Sequence, residues 1–518
     1  MNFRRLFAPF FWIAISCLIL GACSDDDSQE SDVGISDTGS SDTESTPDAD
    51  ADDSDADDSD VEDAEFESLT CDDLGVDCGD HPDDQGGMLD CGSCSDGATC
   101  SEEGQCVAQG EFATEVNQYD ITWHFDEEYE VGQFVTGDWW VVGPVEIEQV
   151  SPTPEDGRNG SMLNPVGAQA YDSRAGRHDD DKGVSFPLHL EPDNSLVSSI
   201  SHDEEPECEQ GGSDGWETYS GTCQRGPIHT QAVLTVLEEA PPSSAFRPPY
   251  SGDDKPLHLA DEICWETLPD LSEPEEMPEA DGVLRHIERP WIDHLQSWQM
   301  QHGCATHNMF CYGREIGDIV ATVAAFVLID SEARDDVATH LVQLGIDNYG
   351  VLQAGGGWHG DGGHFNGRKF PIVFAGGLLG NSEMASPGTD IGNEDRMTYY
   401  GDGGVAYWGR DCTSCYTDEC SYTDECDSGS RDCRDPDESS DSCSSYRTCC
   451  TSRTWVGTAL AARLMGLKDA WDHDPFFDYV DRWMAEEVDG GGGTSNAFVT
   501  EMWETHRDDT MPVDDGCL

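Results

Sequence analysis

The sequence predicts a multidomain chain. A disordered acidic stalk leads to a small disulfide-rich module, a β-rich domain and an all-α (α/α toroid-like) domain. Three observations carry this: an acidic run without Lys or Arg before residue 68, a cluster of six Cys at 71–106, and a change of apolar period near residue 240. At 518 residues the chain has room for several domains.

Residues 1–23 have Arg4 and Arg5 followed by an apolar run from Leu6 to Leu20, the pattern of a secretory signal. The run ends Leu20-Gly21-Ala22-Cys23, which resembles a bacterial lipobox. The resemblance implies lipidation of Cys23 and, with Ser24 after it, the outer membrane or cell surface. An uncleaved anchor is the alternative, although the run is short for a spanning helix. Residues 24–67 are mostly Asp, Ser, Glu, Thr and Ala. Self-repulsion and lack of apolar residues make this segment a disordered stalk.

Cys71, Cys78, Cys91, Cys94, Cys100 and Cys106 stand among Gly and Asp, with little apolar material for a core. Such a unit needs crosslinks, and 22 Cys suit an oxidising compartment. Three disulfides are expected, in any of 15 pairings. The module spans residues 68–110 and reads as a spacer or a carbohydrate-contacting unit.

The β-rich domain covers residues 111–240. Asp120–Phe125 alternates, Trp139–Ile147 is a β-rich run broken by Gly143-Pro144, and Gln231–Leu237 is a further run. Cys208 and Cys223 flank a loop and are expected to pair. From 241 to 518 the period becomes helical. Ile316, Ile319, Val320, Val323, Phe326 and Val327 share one face, and Ser331 is placed to cap a helix carrying Val337, Leu341 and Leu344. Further helices are expected at Ile292–Met300, Phe370–Leu379, Thr454–Leu467, Phe476–Glu487 and Asn496–Thr505. Helical hairpins over such a length commonly close into an α/α toroid. A Cys-rich insertion at 411–450 reads as a stapled loop over one mouth.

The charge balance excludes some functions. Asp and Glu number 108 against 25 Lys and Arg, a net charge of −83. Nucleic acid and anionic lipid are therefore repelled. Only Lys182, Lys255, Lys369 and Lys468 represent lysine. An acidic, Lys-poor surface resembles halophilic, salt-adapted proteins; a merely acidic secreted protein is the alternative. Lys255 and Lys369 stand out because they lie in Gly/Pro-rich, aromatic stretches.

Two connections carry more chemistry than a turn needs. The first, Ala305–Glu315, holds His307, Asn308, Tyr312 and Arg314; the second, Gly355–Lys369, holds Trp358, His359, His364, Arg368 and Lys369. Glycines let a backbone approach a ligand closely. A third stretch, Glu394–Tyr400, contains Tyr399 and is expected to be a loop. Arg314 with Glu315 also reads as a helix-start ion pair, and paired Tyr or His residues also read as packing groups. No phosphate loop, nucleophile elbow or two-His zinc motif is present.

On these residue types, residues 111–510 resemble polysaccharide lyases of the α/α-toroid type, the alginate-lyase and heparinase-like groups. The resemblance implies that Asn308 and Arg314 neutralise a uronate carboxylate. His307, His359, Tyr312 or Tyr399 would then move the protons of a β-elimination. Trp358, His364, Arg368, Lys369 and Lys255 would bind substrate. An acidic polysaccharide is the expected partner of a monomeric enzyme; no cofactor is required, and a divalent cation stays open. Two alternatives remain: a glycoside hydrolase using carboxylates among Glu315, Asp361, Glu394 and Asp395, or a non-catalytic glycan-binding surface lipoprotein.

Overall fold

The computed structural model describes residues 70–509, apart from 75, 77, 83–86, 95–97, 102–103, 105, 109, 204–225, 297, 302–304, 311, 361–362, 401, 409–446, 486–492 and 495. The signal segment with Cys23, the stalk, the Cys208–Cys223 pair, Asp361 and the insertion up to Tyr446 lie outside the described residues. Among the described residues no helix is long and apolar enough to cross a membrane.

The cysteine module holds two small hairpins, β1 (Asp80–Pro82) with β2 (Met88–Asp90) and β3 (Ala98–Cys100) with β4 (Cys106–Ala108). Of the 15 pairings, the structure has Cys71–Cys91, Cys78–Cys100 and Cys94–Cys106.

A curled sheet follows, built from β5 (Glu111–Gln118), β6 (Ile121–Gln133), β7 (Trp139–Val142), β8 (Val145–Ser151), β9 (Ser161–Leu163), β10 (Leu188–Leu190), β11 (Asn194–Ser201) and β12 (Ile228–Leu237). Its order is β10-β8-β6-β7-β12-β11-β9, with β5 on the other flank of β6. β7 and β8 are separated only by Gly143-Pro144, where proline has no N–H to give to the ladder. Both pair with the same long strand. β12 joins β7 in parallel, matching Leu234 with Trp139.

Alternate residues of β12 serve two cores. Ala232, Leu234 and Val236 pack inside the curl with Trp123, Phe125 and Ile147. Ile228 and Val233 pack with the helices, as does Val197 of β11. Coverage of both faces explains the nearly unbroken apolar run.

The helical part contains α1 (Ala280–Ile287), α2 (Gly313–Phe326), α3 (Arg334–Gln353), α4 (Lys369–Leu378), α5 (Asn393–Met397), α6 (Val456–Leu464), α7 (Asp474–Ala485) and α8 (Ala497–His506). Helix α3 buries Val337, Leu341 and Leu344 as expected. Ser331 does not cap it with its hydroxyl; it offers its backbone carbonyl to the Arg334 N–H at 3.1 Å. Asn496 does cap α8, accepting from the Val499 N–H at 2.8 Å. Small residues bring helices close: a Cβ on Gly457 would stand 2.2 Å from the Ala321 carbonyl, and one on Gly345 2.1 Å from that of Pro371. The helix expected at Ile292–Met300 is mostly turn, with only Trp298–Gln301 helical. The third sequence candidate is not a loop: it is α5 running into β13 (Thr398–Tyr400), which pairs with β14 (Ala406–Trp408).

Sheet and helices are tied by one buried ion triad. Arg247 meets Asp138, just before β7, at 2.8 Å, and grips both oxygens of Asp347 on α3 at 3.0 and 2.6 Å.

Candidate functional site

The two chemistry-rich connections touch through glycine. Tyr312 is extended, and α2 begins immediately after it at Gly313. A Cβ on Gly313 would lie 2.0 Å from the His364 backbone nitrogen, and one on Gly363 2.5 Å from the Cys450 carbonyl. Gly363 also has a φ of +79°, a conformation that favours glycine. This contact brings side chains from both loops together. The Tyr312 and His364 rings meet edge to face at 5.6 Å, and the Arg314 guanidinium lies 5.6 Å from the Tyr312 ring centre.

The group is graded from solvent to core. Arg314 and Glu315 are partly open at 31 % and 27 % side-chain exposure, whereas His364 is buried behind them. Arg314 Nε donates to Glu315 Oε1 at 3.0 Å, so the helix-start ion pair read from the sequence is formed. Burial alone would lower the Arg314 pKa; the charge and hydrogen bond of Glu315, with Asp318 and Tyr312, together outweigh it and hold the pKa above its ordinary value. Tyr312 Oη lies 3.5 Å from Cys450 Sγ.

Behind this face the second loop turns inward. Arg368 is sandwiched between Trp291 and Trp358, its guanidinium 4.9 and 5.3 Å from their ring centres, and it is ion-paired with Asp293. Asp293 also accepts from Trp358 Nε1 at 3.0 Å. Burial pushes the Asp293 pKa up against the opposing pull of Arg368. Lys369 donates to Asp395 at 2.8 Å and to the Trp471 carbonyl at 2.7 Å. Glu394 Oε1 accepts from the Gly367 N–H at 2.7 Å. Burial raises the Glu394 pKa to about 7. Arg368 and Lys369, expected at a substrate surface, are thus fully buried struts with internal carboxylate partners.

The remaining sequence candidates lie elsewhere. The first loop is divided: His307 is exposed and sits against the sheet, its N–H on the His229 carbonyl at 3.0 Å and its ring 5.3 Å from that of His229. Asn308 is buried, accepting from Thr306 Oγ1 at 2.6 Å and donating to the His286 and Arg289 carbonyls at 3.4 and 3.3 Å. An amide spent on three internal bonds holds the loop and presents nothing to a substrate. His359 is exposed on the second loop. Tyr399 pairs with Tyr407 across β13 and β14, with ring centres 6.0 Å apart. Lys255 donates to the Pro249 carbonyl at 2.6 Å, beside a pocket of about 190 Å³ lined by Asp253, Asp254, His258 and Tyr349. Burial, followed by the Arg247 charge, lowers the Lys255 pKa to about 7.

Sequence reasoning missed Trp291, Asp293 and His294. The signal was the string Pro290-Trp291-Ile292-Asp293-His294, whose polar pair falls inside an otherwise apolar stretch. Comparison with known proteins finds no matching family model, no matching curated protein and no matching solved structure.

Proposed function

We propose that this protein cleaves an acidic, uronate-containing polysaccharide by β-elimination at the Tyr312–Arg314–His364 face. What supports the reading is the convergence of a cation, a phenol and an imidazole where the two glycine loops touch. The uronate carboxylate takes the place of Glu315 on Arg314, which withdraws charge and acidifies the proton at C5. The Tyr312–His364 pair removes that proton. Its electron pair forms the C4–C5 double bond, the C4–O4 bond breaks, and the leaving oxygen receives a proton from the same pair. In this reading Arg314 alone neutralises, because Asn308 is engaged internally.

The same proposal includes a closed α/α toroid for the helical part, action as a monomer, and a lipid on Cys23 holding the protein at the outer membrane. Incubating the purified chain with a panel of uronic-acid polysaccharides tests it. Ultraviolet-absorbing unsaturated product is expected, and Tyr312→Phe should lower its rate by about 100-fold. New reducing ends without that absorbance would favour hydrolysis. Glu394 favours this second reading, since a carboxyl group with a pKa of about 7 keeps its proton for use as a general acid.

A further inference from the structure

Behind the candidate site, four polar atoms around one arginine have no hydrogen-bonding partner. They are both imidazole nitrogens of His294, Nη1 of Arg368 and Oε2 of Glu394. The three side chains are 2 %, 0 % and 1 % exposed. They share a neighbourhood: His294 follows Asp293, the ion-pair partner of Arg368, and Glu394 accepts from the N–H of Gly367, the residue before Arg368. The Tyr250 ring closes one side, 5.7 Å from the His294 ring. Gly392 leaves the space that Glu394 uses, since a Cβ there would lie 2.3 Å from Oε2. An atom left unmet in a dry interior is costly, and native proteins rarely leave several together. Unmet groups of this kind call for a polar partner.

The donor set selects that partner. A guanidinium repels a metal cation. A dianion would face Asp293 as well as Glu394. Nη1–H and one imidazole N–H offer two donors to a single anionic group. We propose that the chamber bounded by His294, Arg368 and Glu394 binds one small carboxylate, with the Glu394 carboxyl group facing it as an acid partner. A carboxyl proton shared with a carboxylate makes a strong, charge-assisted hydrogen bond.

The proton balance follows from the surroundings of Glu394. Burial raises its pKa to about 7, assisted by Asp395 and opposed by the Gly367 N–H and Lys369. An anion beside it raises the pKa further, so binding takes up a proton. Affinity is then fullest below pH 7 and falls by about tenfold between pH 6 and pH 8. His294, held at a pKa of about 3 by burial and Arg368, stays neutral throughout this range.

Calorimetric titration of the full chain with sodium acetate, sodium D-glucuronate and neutral acetamide at pH 6 and pH 8 tests the proposal. Saturable 1:1 binding of acetate, tighter at pH 6 and absent with acetamide, is expected. Binding of glucuronate as well would extend the ligand class to free uronic acids. Glu394→Gln should bind equally at both pH values, and His294→Asn should bind more weakly at an unchanged melting temperature. No saturable heat with either carboxylate, or an undiminished pH slope in Glu394→Gln, would overturn it and leave water as the occupant. The readout is binding, so the outcome is independent of whether the lyase reading holds.

Discussion

Arg247 and Asp347 form a two-pronged ion pair with both side chains almost fully buried, and the arginine's remaining edge holds Asp138. One cation thus joins the turn before β7 to the middle of α3. Removing one member strands a charge in a dry place, at a cost of about 3–5 kcal/mol. Arg247→Met should therefore lower stability more than Arg314→Met, whose partner Glu315 is partly solvated. Urea unfolding of both variants checks this ordering.

Glu394 makes stability pH-dependent in a direction opposite to an ordinary surface acid. Between pH 4.5 and about 7 the unfolded chain has released a proton that the folded chain retains. Stability from this group is complete below pH 4.5 and is lost as pH rises through about 7. The displacement corresponds to about 3 kcal/mol. Glu394→Gln, which cannot ionise, should gain on the native protein by up to that amount between pH 5 and pH 8. Unfolding free energies measured in parallel at the two pH values give the difference.

Lys255 should be the most reactive amine at neutral pH. A pKa of about 7 leaves much of it unprotonated at pH 7.5, whereas Lys369 is fully buried between Asp395 and the Trp471 carbonyl. Limited treatment with an amine-acylating reagent, followed by peptide mass spectrometry, should find Lys255 modified ahead of Lys182 and Lys468. Equal labelling of the three would contradict its depressed proton affinity.

Salt should stabilise the fold. A net charge of −83 repels itself, and ions at 0.1 M screen this beyond about 10 Å. The melting temperature is expected to rise from low to molar NaCl. Calorimetry in NaCl and in an equally viscous sugar solution separates charge screening from general solute effects.

Strands β6, β7 and β8 were legible because their apolar residues alternate or run together. Strand β11, Asn194–Ser201, was not, because half of it is serine. Several of its hydroxyls are absorbed internally: Ser198 accepts from Trp123 Nε1 at 3.0 Å and from Ser161 at 2.8 Å, and Ser199 donates to the Gly160 carbonyl at 3.0 Å. A strand whose polar side chains turn to its neighbours rather than to water looks like a loop in one dimension. The candidate site shows the converse. Lys369 and Arg368 looked like ligand-binding cations because basic residues are rare here, yet rarity is equally the mark of a buried ion pair. Asn308 looked like an amide donor, but three partners distant in sequence or hidden in its own turn consume it. Tyr312, Arg314 and His364 were named from sequence and are brought together by the fold at a partly open face.

The parallel pairing of β7 with β12 also governs the order in which the protein can mature. Most neighbours in the sheet are antiparallel, but β7 must wait for a strand at the far end of the sheet segment before its free edge is closed. Until Leu237 has left the ribosome, that edge is open to other chains. Long-range closure of this kind is slow and exposed to aggregation. Chaperone dependence during synthesis should therefore track truncation: chains ending before β12 should aggregate, and those extending past it should gain protease resistance across β7.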